Sequence, residues 1–92
     1  MNKNKAITVL GARLEEIKLF MKYASQTTIT AQMVERDEVG KYINSELRNA
    51  REIAIKYGIN GGWIDDQLTL LEHSWTNYEK LVTRQLEQAK MR

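Results

Sequence analysis

A chain of 92 residues, 42% of them hydrophobic and 28% charged, has the composition of one small soluble globular domain spanning 1–92. At that size folding buries only about 60 to 65% of the surface the unfolded chain exposes. With 14 basic and 12 acidic residues the formal charge is +2, a near balance that does not by itself call for nucleic acid; with no cysteine, disulfides and thiolate metal sites are excluded.

Lys3 and Lys5 precede an apolar stretch that Arg13, Glu15 and Glu16 interrupt. No secretory leader is expected from this pattern, and no run approaches the roughly 20 apolar residues that cross a bilayer. A cytoplasmic protein without membrane contact is the expectation. The string Ile7, Leu10, Leu14, Ile17, Met21, Ala24 steps by three and four residues, which is one face of a helix over about 4–25. Gln26, Thr27, Thr28, Ile29 and Thr30 then replace helix formers with β-branched and capping residues, so a short turn is expected there.

The second helix is read over about 30–57 from Val39, Ile43, Leu47, Ala50, Ala54 and Tyr57, and Gly58 stands where a left-handed C-cap belongs. Absent proline, nothing breaks these runs. Gly11 and Gly40 lie nearly equidistant from Ser25 and Gln26, which would set them side by side in a helical hairpin. Arg36 and Glu46 fall on or near the apolar seam, where a charge needs a partner or water; partners across an interface are one reading, loose packing of the N-terminal part the other.

Ile59, Asn60, Gly61 and Gly62 form the clearest loop, and Asp65 and Asp66 mark the first turn of a third helix over about 63–90. Its string Ile64, Leu68, Leu71, Trp75, Tyr78, Val82, Leu86, Ala89 is widened by Trp63, Leu70 and Leu81 on a flank about 100° away. So wide an arc calls for two neighbours. The expected fold is therefore an all-α small antiparallel three-helix bundle that self-associates.

His73 is the only histidine, and Glu72 and Ser74 beside it project about 100° away on a helix, so no nucleophile and base converge there. No metal-ligand spacing is present, and neither a metal nor a cofactor is expected. Lys41, Asn44, Arg48 and Arg51 make a basic-polar stripe on the second helix, the best candidate for nucleic acid. Among the aromatics, Trp75, Tyr78 and Tyr57 sit on core strings, while Trp63 and Tyr42 lie on flanks and suit an interface.

The segment from Lys56-Tyr57-Gly58-Ile59 to Leu71-Glu72-His73-Ser74 distantly resembles the second-to-third helix portion of the all-helical chorismate mutases. That resemblance implies a dimer-interface site in which Arg, Lys, Glu and Gln converge on a dicarboxylate. Here Lys41, Tyr42 and Tyr78 stand where Arg, Glu and Gln would be expected, and Ser74 alone fits. The primary expectation is a non-catalytic accessory or regulatory protein that binds another protein, and itself as a homodimer, through Trp63, Leu70, Leu81, Tyr42, Arg36 and Glu46. A nucleic-acid-binding regulator is the alternative, and a small helical enzyme of chorismate-mutase-like architecture the further one.

Overall fold

The computed structural model describes residues 2–26 and 33–90. It contains three helices, α1 (Lys3–Gln26), α2 (Met33–Lys56) and α3 (Gly62–Lys90), and no strand among the described residues. The expected all-α three-helix architecture is present, with helix ends displaced by up to three residues. The turn expected at 26–30 falls, beyond Gln26, outside the described residues.

Each helix end that is described has a local cause. Asn2 caps α1 by accepting the Lys5 amide at 2.8 Å, satisfying a donor that the first turn leaves unpaired. At the end of α2, Gly58 adopts φ +65°, its N–H donates to Ile55 O at 3.2 Å, and Ile59 N–H donates to Ala54 O at 2.8 Å. This pair of bonds is a Schellman motif, and its usual apolar contact is supplied by Ile59 and Ala54, both buried. At the start of α3, Asp65 reaches back to accept the Gly61 amide at 2.7 Å.

The core is assembled from the three apolar strings. Leu10, Leu14 and Ile17 of α1, Ile43 of α2 and Leu68 of α3 are its largest fully buried side chains. Val39, Tyr57, Ile7, Met21 and Tyr78 belong to the same strings but are only half-buried, at the margins of the core. Ala6 and Ile59 are buried, and Phe20 and Ile53 half-buried, although they lie off the strings. Truncating any of the large central side chains to alanine removes buried methyl groups and leaves a cavity, at a cost of about 2–5 kcal/mol.

Cross-helix contacts set the register. Arg13 pairs with Glu46 and Glu16 with Tyr42, so numbers fall along α2 as they rise along α1. Gly11 meets Trp63, and the Ala24 carbonyl accepts the Tyr78 hydroxyl at 2.7 Å, so numbers on α1 and α3 rise together. The expected pairing of Gly11 with Gly40 is not found. A methyl group on Gly11 would meet Trp63 Cζ3 at 3.8 Å and Ile64 Cδ1 at 3.9 Å; one on Gly40 would meet Trp75 Cζ2 at 3.7 Å. The reason is the connection: α1 ends at Gln26 and α2 begins at Met33, which shifts the hairpin centre several residues beyond Ser25. Each glycine instead lies beside a tryptophan of α3.

Candidate functional site

Two features stand out, a polar clamp between α2 and α3 and an exposed apolar line along α3. Arg51 lies one position after buried Ala50, on the flank of α2 that faces α3, and its guanidinium there meets two carboxylates seven residues apart. Its Nη1 donates to Asp65 Oδ1 at 2.7 Å, Nη2 to Glu72 Oε1 at 2.6 Å and Nε to Glu72 Oε2 at 3.4 Å, while Thr69 Oγ1 accepts a further bond from Nη2 at 3.1 Å. The fork-like contact with Glu72 is the geometry arginine is built for. Hydrogen bonds to Glu72 and then Asp65 hold the Arg51 guanidinium above its ordinary range, and Arg51 followed by the Gly61 amide holds the Asp65 carboxyl below its own. One cation between two anions, in partial contact with water, ties α2 to α3.

A second polar link runs beside it. Trp75 Nε1 donates to Asn44 Oδ1 at 3.0 Å, and Asn44 Nδ2 donates to Glu79 Oε2 at 3.4 Å. Two of the four stripe residues, Asn44 and Arg51, therefore turn toward α3, leaving Lys41 and Arg48 exposed. Sequence spacing missed this because Asn44 and Arg51, seven apart, share the outer flank of α2 with Arg48; which flank faces a neighbour is decided by packing. The groove over this region mixes Arg48 and Arg51 with Glu52 and Glu72, a charge-balanced lining unlike a phosphate track.

Glu46 is half-buried, as its seam position implies, but its partner belongs to the same chain: Arg13 Nη1 lies 3.5 Å from Oε2. The Arg36 side chain lies outside the described residues. Tyr42, 37% exposed, packs its ring 4.7 Å from Phe20 and donates to Glu16 Oε1 at 3.2 Å. Partial burial first, and the Glu16 bond second, push its phenol above the usual range. His73 and Ser74 are exposed. Tyr42 and Tyr78 both direct their hydroxyls to α1, Lys41 is exposed, and the positions implied by the chorismate-mutase resemblance do not converge within one chain. Among the described residues no three His, Asp or Glu groups gather at metal-binding distance.

The apolar line is different in kind. Trp63, Leu70 and Leu81 are 60%, 58% and 51% exposed. At 100° per residue they fall within about 20° of one another on α3, along about 27 Å of its axis. Leu19, Ile55 and Tyr23 are also exposed but lie on other helices. Ser74 and Asn77 separate Leu70 from Leu81, so two short polar side chains interrupt the line.

Compared with known proteins, the chain matches no family model, no curated protein and no solved structure.

Proposed function

We propose that this chain is a non-catalytic binding protein that docks other helices, beginning with those of a second copy of itself, on the outer face of α3. The observation that carries the reading is the exposure of Trp63, at 60%, in line with Leu70 and Leu81. Tryptophan left in water is costly at about 25 cal/mol per Å² of apolar surface, and aligned apolar side chains at helical spacing are what a partner helix covers. Tyr42 sits on another flank, already engaged by Phe20 and Glu16, and contributes less. Occlusion or bridging of a partner is the mechanism, in a regulatory or accessory role, and a cytoplasmic setting accords with it. No helix of the described residues is long and apolar enough to cross a membrane.

A nucleic-acid role is the second reading, and it now rests on Lys41 and Arg48, since Asn44 and Arg51 are held by α3. The test separates the two. Replacing Trp63, Leu70 and Leu81 together by serine is expected to abolish a concentration-dependent rise in sedimenting mass above 10.7 kDa while leaving helix content unchanged. A wild-type chain that stays at monomer mass at every concentration and yet retards DNA through Lys41 and Arg48 would replace the first reading with the second.

A further inference from the structure

Asn60 is the one asparagine in this chain followed by glycine. With no side chain on the following residue, the Gly61 amide nitrogen has open access to the Asn60 side-chain carbonyl, and asparagine is among the chemically labile residues. Asn60 is exposed, so water and base reach it. The residues on either side of it are nevertheless fastened. Ile59 is buried and its N–H donates to Ala54 O at 2.8 Å; the Gly61 N–H donates to Asp65 Oδ2 at 2.7 Å, and the other oxygen of that carboxylate is held by Arg51 at 2.7 Å.

We propose that Asn60–Gly61 is a guarded deamidation site, kept closed by the hydrogen bond from the Gly61 amide to Asp65. In the reaction the Gly61 nitrogen bonds to Asn60 Cγ, its proton passes to solvent base, the Cγ–Nδ2 bond breaks and Nδ2, taking a proton back from solvent, leaves as ammonia. Water then opens the resulting cyclic imide at either carbonyl, giving aspartate or isoaspartate at position 60. One water is consumed, one ammonia is released and nothing is oxidised. Asp65 opposes the first step twice: its carboxylate occupies the Gly61 N–H, and its negative charge disfavours removing that amide proton. The bond must open first, so the rate follows the opening equilibrium of the α2–α3 junction. The isoaspartate product carries an extra backbone carbon between the Schellman turn and α3, which alters the path of the junction. The site is thus a slow, irreversible record of how often that junction opens.

The experiment incubates the full chain at mildly alkaline pH and follows the one-mass-unit gain in the peptide carrying residue 60. Deamidation is expected to be at least about tenfold slower in the native chain than in denaturant, the suppression being set by the rarity of opening. Asp65→Ala is expected to speed the native reaction several-fold without changing the rate in denaturant, and Asn60→Gln to abolish the mass gain there. Helix content measured in parallel shows that Asp65→Ala is folded. Equal rates in native and denatured wild type, or a folded Asp65→Ala chain that deamidates no faster than wild type, would overturn the proposal; the first comparison needs no variant at all.

Discussion

Trp63 and Trp75 are twelve residues apart on one helix and lie beside a glycine each, yet one is 60% exposed and the other 4%. Trp75 lies against Gly40 of α2, donates its indole N–H to Asn44 and forms a tilted ring pair at 5.2 Å with Tyr78, which reaches in turn to the Ala24 carbonyl. Trp63 touches α1 at Gly11 with one edge and leaves most of its ring in solvent. A buried ring of this kind carries the fold, because its apolar area and its polar tip are both satisfied within the chain. An exposed one leaves apolar area in solvent, which the proposed self-association would cover.

Substitutions sharpen that contrast. Trp75→Ala is expected to have the largest effect, about 3–5 kcal/mol in denaturant unfolding, because it opens a cavity and leaves Asn44 without its donor. Trp63→Ala should change the stability of the dilute monomer by no more than about 0.5 kcal/mol, as for surface positions in general.

Arg51→Met is expected to cost less than Trp75→Ala, since it leaves the partly exposed Asp65 and Glu72 without their shared cation, read as a lower denaturant midpoint. The same clamp has a pH signature. Because the folded Asp65 carboxyl titrates below its unfolded value of about 4, its contribution is present above that pH and is lost as pH falls through the lower, folded value. Acid unfolding of the wild type should accordingly be steeper below about pH 4 than that of Arg51→Met.

The two glycines beside these rings give an expected gain instead of a loss. Gly40 and Gly11 are interior helical positions where an added methyl group meets indole carbon at 3.7 and 3.8 Å, ordinary contact. Gly40→Ala and Gly11→Ala should each stabilise the fold by about 0.5–1 kcal/mol, read as a higher denaturant midpoint. A loss at Gly40 alone would mean that Trp75 has no room to adjust, which would deepen the difference between the two rings.

Much of the fold was legible in the residues because helix-forming strings and stop signals are local. The strings from Ile7, Val39 and Ile64 and the cap at Gly58 depend on spacing and φ, which neighbours in sequence determine. The exposed line of Trp63, Leu70 and Leu81 was recognised as a flank for the same reason. Its exposure depends on how far α1 reaches around α3, and that is a tertiary matter. Arg51 shows the limit most clearly. On a helix wheel it belongs with Arg48 and Lys41, whereas in the fold it faces Asp65 and Glu72, which no spacing within α2 reveals. The Gly11–Gly40 pairing failed because the hairpin centre depends on where α1 ends and α2 begins, and a run of threonines marks such a place only loosely.

Oxidative labelling of the two indoles, followed peptide by peptide in dilute and in concentrated protein, tests the central claim most directly. Trp75 should be protected in both, and Trp63 labelled when dilute and protected on concentration. Equal labelling of Trp63 at every concentration would contradict self-association through the outer face of α3, and ready labelling of Trp75 would contradict the division between the two rings on which the account rests.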